Sequence, residues 1–323
     1  MKNKKILVTG GAGFIGSNLC EYFLKNNEIV CLDNFSTGKR ENIQELLNNK
    51  NFTLVEGDIR NIERCNEAVK NAEIVFHQAA LGSVPRSIKD PITTNQVNID
   101  GFLNMLVASR DAGIKRFVYA ASSSTYGDST SLPKLEEKIG KPLSPYAITK
   151  YVNELYADVF QRLYGVETIG LRYFNVFGRR QDPDGAYAAV IPKFIKKMIQ
   201  RENVEIYGNG TQSRDFTYID NVIQANELAG ATENNLALNT VYNVAFGERI
   251  SLNQLVEYLR EELSVFDKEI SKVKPIYIDP RAGDIPHSLA SIEKAKQLLN
   301  YNPLFSVRNG LKNAIDWYWN NLQ

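Results

Sequence analysis

Short apolar runs recur along the first half of the chain, with amphipathic stretches between them. Ile6-Leu7-Val8 with Lys5, Glu28–Asp33, Phe52–Glu56, Glu73–His77 and Arg116–Ala120 are rich in β-branched, leucine and aromatic side chains. Short runs of this composition read as strands. Helical patterning falls between them, over Ser17–Lys25 and around Ile43–Asn48, Glu63–Lys70 and Asn98–Ala112. Strands alternating with helices at this spacing predict an α/β fold with a doubly wound parallel sheet. Further on, the pattern predicts a helix from Pro145 to about Leu163 and a sixth strand over Glu167–Leu171. Helices are also expected from Pro192 through Met198 and over Ile292–Leu299.

Composition narrows the function classes. A net charge of +1 carries no electrostatic footprint for nucleic acid or an anionic membrane. No apolar run is long enough to span a bilayer. The basic start, Met1-Lys2-Asn3-Lys4-Lys5, leads into an apolar run too short for a signal peptide, so the cytoplasm is the expected location. Cys20, Cys31 and Cys65 are few and odd in number, and read as buried free thiols. His77 and His287 form no metal spacing with them, and no metal is expected.

The first strand runs into Thr9-Gly10-Gly11-Ala12-Gly13-Phe14-Ile15-Gly16, and a helical stretch follows. Glycine at 10, 13 and 16 lets the backbone turn tightly and approach a pyrophosphate, which the helix N-terminus then faces. Asp33 ends the second strand, where an acid accepts hydrogen bonds from an adenosine ribose and repels a 2′-phosphate. The loop therefore points to NAD, and the sheet to a Rossmann-like fold. Asp58 after the third strand is placed to meet the adenine amino group. Gln78-Ala79-Ala80 after the fourth lets a cofactor lie against backbone.

The fifth strand ends in Ala121-Ser122-Ser123-Ser124-Thr125-Tyr126-Gly127, at the carboxyl edge where doubly wound sheets bind ligands. Ser144-Pro145-Tyr146 opens the next helix, with Pro145 suited to its first turn. Tyr146 and Lys150 lie four apart and share a helix face. With 16 tyrosines in the chain, about one Tyr-x-x-x-Lys spacing arises by chance, so the motif counts only in this context. A nearby ammonium and the positive nicotinamide ring both favour phenolate, which makes a tyrosine a usable base near neutral pH.

These motifs resemble those of the extended short-chain dehydrogenase/reductase family, over essentially the whole chain. Within it the chain looks like a UDP-hexose 4-epimerase, and is most similar to bacterial UDP-N-acetylglucosamine 4-epimerases of surface-polysaccharide pathways. The likeness is carried by Leu81-Gly82-Ser83-Val84-Pro85-Arg86-Ser87, the serine run, Arg172-Tyr173-Phe174-Asn175-Val176-Phe177-Gly178-Arg179-Arg180-Gln181-Asp182-Pro183 and Arg281-Ala282-Gly283-Asp284. The resemblance implies that Tyr146 deprotonates the sugar C4 hydroxyl while C4 gives its hydride to NAD⁺. Ser122 and Ser123 would hold that oxygen, and Lys150 the nicotinamide ribose. The 4-keto sugar would turn and take the hydride back on its other face. Related 4,6-dehydratases usually carry Asp-Glu where this chain has Ser123-Ser124, which argues against dehydration.

The implied cofactor set is Gly10, Gly13, Phe14, Ile15, Gly16, Asp33, Asn34, Ser36, Thr37, Gly38, Asp58, Ile59, Gln78, Ala79, Ala80, Tyr146, Lys150 and Tyr173. The implied substrate set is Gly82, Ser83, Ser123, Ser124, Tyr146, Asn175, Ala189, Val190, Tyr207, Arg214, Arg281, Asp284 and Ser288. Asn175, Arg214 and Arg281 would meet the diphosphate, Tyr207 the uracil strand and Asp284 the uridine ribose. Ser288 would stand where a tyrosine closes the pocket of epimerases limited to plain sugars, leaving space for a 2-acetamido group; a turn serine before the next helix is the plainer reading. The implied division is a NAD-binding domain over 1–173, rejoined by segments near 215–250, and a smaller α/β substrate region over 174–323. The implied partners are a UDP-sugar and a second copy of the chain, with Phe102, Leu106, Val107, Val152, Leu155 and Val159 compatible with a dimer or with core packing. An epimerase of UDP-uronic acids and a non-catalytic NAD-binding regulator are the alternatives.

Overall fold

The computed structural model describes residues 1–184, 188–280 and 286–322. Its centre is a parallel sheet of β1 (Lys5–Thr9), β2 (Glu28–Asp33), β3 (Phe52–Glu56), β4 (Ile74–His77), β5 (Arg116–Ser122), β6 (Glu167–Tyr173) and a late strand, Thr240–Val244. The order across it is Thr240–Val244, β6, β5, β4, β1, β2, β3. Each face is covered, which is why the strands read as continuous apolar runs. Ile6 and Val8 of β1 join the core on one face, and Leu7 joins the core on the other. The chain reverses direction across the sheet between β1 and β4, and their carboxyl ends open the crevice where such folds bind ligands.

Helix boundaries depart from the sequence reading in instructive ways. The first helix spans Phe14–Leu24, three residues earlier than the pattern suggests. Gly16 lies inside it because a Cβ there would stand 2.1 Å from the Gly10 carbonyl oxygen. The stretch expected as a helix near 43–48 is a 3-10 turn over Arg40–Leu46. The helix expected from Asn98 begins at Gly101 and is preceded by a π turn over Gln96–Asp100. The helix expected from Pro192 starts at Val190. Pro192 is tolerated there because the first-turn N–H groups have no intrahelical partner. Phe102 and Leu106 are fully buried in the monomer core, so neither belongs to an intersubunit face.

The helix that matters most spans Pro145–Tyr164. Ser144 caps it by accepting from Ala147 N at 3.1 Å, and Gly165 ends it at φ +71°. It is locked to β6 by Arg172, which donates to both Glu154 carboxylate oxygens at 2.8 and 2.7 Å. Both partners are buried, so this pair fixes register and removing one partner would strand a charge.

The second half adds smaller elements beyond the sheet edge. Val204–Tyr207 pairs in parallel with Pro275–Ile278, and Ser213–Arg214 pairs antiparallel with Ile250–Ser251. Helices Val190–Ile199, Leu252–Leu263 and Val307–Asn321 pack around them. No helix among the described residues is long and apolar enough to cross a membrane.

Candidate active site

A cavity of about 670 Å³ opens along the carboxyl edge of the sheet. Gly10, Gly13, Phe14, Ile15 and Gly16 line one end, and Ser122, Tyr146, Lys150 and Tyr173 the other. A narrow extension of about 80 Å³ runs past Asp33, Asn34, Ser36, Thr37, Gly38, Asp58, Ile59 and Ala79. Gln78 and Ala80 line both. The groove thus connects the end of β2 to the tyrosine.

The glycine turn can only be built from glycine. Gly10 sits at φ +66°, and a Cβ there would meet the Ala79 backbone at 2.8 Å. The face of Gly13 is open apart from the Gly10 carbonyl. This cradle fits a pyrophosphate lying against the backbone at the start of a helix. Asp33 is buried, and its carboxylate accepts from Ala12 N at 2.9 Å and Phe35 N at 2.8 Å. Burial nonetheless holds its pKa above the usual carboxylate range. Asp58 is gripped by the Arg60 guanidinium and by Asn34, and Arg60 keeps its pKa low.

At the other end the three chemical groups converge. Lys150 is almost fully buried and its Nζ donates to the Ala120 carbonyl at 2.8 Å. Burial pulls its pKa down from 10.5 to about 8, against the attraction of Glu154. Tyr146 and Ser122 line the same stretch of the cavity, and the Ser122 hydroxyl favours the ionised tyrosine. Burial raises the phenol pKa and the Ser122 contact brings it part of the way back. The spacing of Tyr146 and Lys150 assigns that lowering to the ammonium; in the structure it comes from Ser122, and the Lys150 ammonium is anchored on the Ala120 carbonyl. Ser124 Oγ donates to Ser122 Oγ at 2.8 Å, which orients the Ser122 hydroxyl. Ser123 starts the same 3-10 turn and is half-buried.

The pieces assigned to the sugar nucleotide lie on separate segments. Gly82 lines the main cavity, and Ser83 follows at φ +141°, a strained angle, while capping the short helix Val84–Lys89. Asn175 is exposed at φ +37° with its Nδ2 donating to Asp215 O at 2.9 Å. Arg214 Nη1 donates to the Ser213 and Pro286 carbonyls. Ala189 caps the helix that Val190 begins. Tyr207 and His287 border a second cavity of about 630 Å³. Ser288 N donates to Ser213 O at 3.0 Å, in an extended stretch, and Ile292 caps the following helix. Arg281 and Asp284 lie outside the described residues.

The family model described as NAD dependent epimerase/dehydratase family matches residues 6–245. The chain belongs to that family. NAD is its cofactor, and the glycine cradle and the groove beside it fit that dinucleotide. As a member, it is similar to the solved UDP-N-acetylglucosamine 4-epimerase of Methanobrevibacter ruminantium M1, at 38% identity and TM-score 0.92, covering 98% of this chain and 99% of that one. It is similar to the UDP-glucose 4-epimerase of Thermotoga maritima, at 36% identity and TM-score 0.90, covering 99% and 100%. The UDP-glucuronic acid 4-epimerase of Bacillus cereus, solved with UDP-glucuronic acid and NAD, matches at 33% identity and TM-score 0.87, covering 97% and 98%.

This epimerase/dehydratase fold also brings groups to the cavity that the sequence reading did not single out. Lys39, Arg180, Gln181 and Asp182 line it, as do Trp317 and Asn321 of the last helix. Lys39 pairs with Asp182 at 3.1 Å across the opening. Arg180 and Asp182 stand inside a motif quoted above, so their sequence signal was present. Trp317 and Asn321 belong to no motif, and only the packing of the last helix puts them there.

Proposed function

We propose that the protein is a UDP-hexose 4-epimerase whose preferred pair is UDP-N-acetylglucosamine and UDP-N-acetylgalactosamine. The observation that carries the reaction is the convergence of Ser122, Tyr146 and Lys150 on the cavity that also holds the glycine turn. NAD, when bound, supplies a reversible two-electron acceptor for the C4 hydrogen. Tyr146 removes the C4 hydroxyl proton, and Ser122, aligned by Ser124, holds that oxygen as the carbon becomes a ketone. Lys150, anchored on the Ala120 carbonyl, would hold the nicotinamide ribose, and the positive nicotinamide ring favours the ionised tyrosine. The keto sugar then turns about its link to the diphosphate. Tyr146 returns the proton as C4 is reduced on the opposite face, so configuration inverts with no net redox change.

Sugar choice is the finer part of the proposal, and Ser288 supports it. A small side chain there, with Gly82 and Ser83 lining the same side, would leave volume for a 2-acetamido group. Asn175, Arg214 and, by motif, Arg281 would hold the diphosphate, and Asp284 the ribose. The first domain would then bind NAD and the region after 174 the nucleotide sugar. A homodimer would use the stripe Ile148, Val152, Leu155 and Val159, one face of the Tyr146 helix, on which Ile148 and Leu155 are half exposed.

Purified protein should be incubated separately with UDP-GlcNAc, UDP-Glc and UDP-GlcA, without added NAD. Conversion of UDP-GlcNAc to UDP-GalNAc supports both the reaction and a retained cofactor. Conversion of UDP-GlcA alone would move the specificity to uronic acids. No conversion of any substrate, even with NAD added, would end the epimerase reading.

A further inference from the structure

Asp215 is fully buried, and nothing in the hydride chemistry uses it. Its carboxylate is met by main-chain N–H groups from two distant segments. Oδ1 accepts from Phe246 N at 3.2 Å and Gly247 N at 3.3 Å. Oδ2 accepts from Gly247 N at 3.2 Å and Ala290 N at 3.2 Å. Its own carbonyl accepts from Asn175 Nδ2 at 2.9 Å.

The residues on either side extend the same hub. Ser213 N donates to Pro286 O at 3.0 Å, and Ser213 O accepts from Ser288 N at 3.0 Å. Arg214 Nη1 donates to Pro286 O at 3.1 Å. Thr217 N donates to Asn175 O at 3.3 Å. Past Ser288, Lys134 N donates to Leu289 O at 2.8 Å and Ser291 N to Lys134 O at 3.0 Å. One short stretch, 213–217, therefore gathers Asn175, the turn after Thr240–Val244, and the extended segment bearing Ser288.

We propose that Asp215 is the positioning residue of the nucleotide-sugar pocket, its carboxylate holding the extended Ser288 segment and the 246–247 turn against Arg214 and Asn175. The proposal rests on the functional reading above, because it is that reading which gives Asn175, Arg214 and Ser288 to the substrate. Each tied segment bears a substrate-side residue or supports one. The glycine turn, Tyr146 and Lys150 are attached to other elements. Loosening the hub should therefore weaken substrate binding and spare both the chemical step and the cofactor. An ordinary structural carboxylate would, on removal, lower stability and every kinetic constant together.

Asp215→Asn and Asp215→Glu are the tests. The first keeps the shape and turns an acceptor oxygen into a donor facing N–H groups; the second keeps the charge and shifts it. We expect KM for the UDP-sugar, and Kd for UDP by calorimetry, to rise about ten-fold, the loss of one charge-assisted hydrogen bond. We expect kcat to stay within about two-fold, with the NAD content of the purified protein unchanged. If Asp215→Asn does not fold, Asp215→Glu carries the same comparison. A KM equal to wild type in a folded variant overturns the proposal, as does a parallel fall in kcat and NAD content. Wild-type protein that neither binds UDP nor turns over a UDP-sugar would remove the functional reading, and the proposal with it.

Discussion

The cofactor groove and the region proposed for the nucleotide sugar are built on different principles. The cofactor wall is mostly main chain, pinned by the one buried carboxylate of Asp33. Gly10 presses on the Ala79 backbone, Ala12 N is held by Asp33, and Lys39 N donates to Ala12 O at 3.0 Å. The proposed substrate wall is a set of segments far apart in sequence, joined through side chains such as Asn175 and Asp215 and through single backbone bridges. The difference teaches where tolerance lies. A main-chain cradle fails when any Cβ intrudes, whereas a tethered wall can change its sugar without changing its frame.

The sharpest break should come at the junction of the walls. Tyr146→Phe is expected to lower kcat by about 10³-fold or more, with NAD content unchanged, because only the proton transfer is lost. Turnover within ten-fold of wild type, about 1.4 kcal/mol, would remove Tyr146 from the chemistry. On the cofactor wall, Gly16→Ala puts a Cβ 2.1 Å from the Gly10 carbonyl. It should cost about 3 kcal/mol in urea unfolding and release NAD on purification. Retention of both stability and cofactor would show that the cradle is looser than its geometry.

Lys150 sharpens the comparison through pH. Its folded pKa, about 8, lies below its ordinary 10.5. The unfolded chain therefore binds the extra proton between those values, and apoprotein stability should rise as pH climbs from 8 to 10.5. Below 8 the buried ammonium is a net cost, so Lys150→Met should be more stable than wild type at pH 7, by about 2 kcal/mol, while losing most activity. Wild-type kcat should fall as pH rises through about 8 and the ammonium is lost. Equal urea midpoints for the two proteins at pH 7 would contradict the assignment.

On the substrate wall, Ser288→Tyr should lose activity on UDP-GlcNAc while keeping UDP-Glc, a selectivity change of about ten-fold or more. Equal loss on both sugars would take the gatekeeper role away from Ser288. Smallest of all, Lys39→Ala removes a half-exposed pair with Asp182, and NAD release should quicken by a factor worth less than about 1 kcal/mol.

The contrast also sets what was legible in the sequence. The sheet could be read because parallel strands buried on both faces are continuous apolar runs, and the glycine turn because glycine is required at fixed spacing. Tyr146 and Lys150 could be read because one helix carries both and Ser144-Pro145 announces its start. The late entry of Thr240–Val244 into the sheet lies within the 215–250 segments that the resemblance has rejoining the first domain; the strand itself carries no local signal, since a parallel neighbour is chosen by tertiary packing. The first helix was read short because Gly16, continuing the glycine spacing of the turn, disguises its first helical turn. Asp215 was passed over because a buried carboxylate satisfied by distant N–H groups looks, in sequence, like any turn aspartate. The lowering of the tyrosine pKa was assigned to Lys150 by spacing alone, and spacing does not show that the ammonium is committed to Ala120 O.

The central claim is a hydride that leaves C4 and returns to it inside one closed site. It is tested most directly with UDP-GlcNAc deuterated at C4, turned over in ordinary water and followed by mass spectrometry and NMR. UDP-GalNAc that keeps the deuterium at C4, with no hydrogen taken from solvent at that carbon, is the predicted result. Deuterium washed out to solvent during inversion would contradict it.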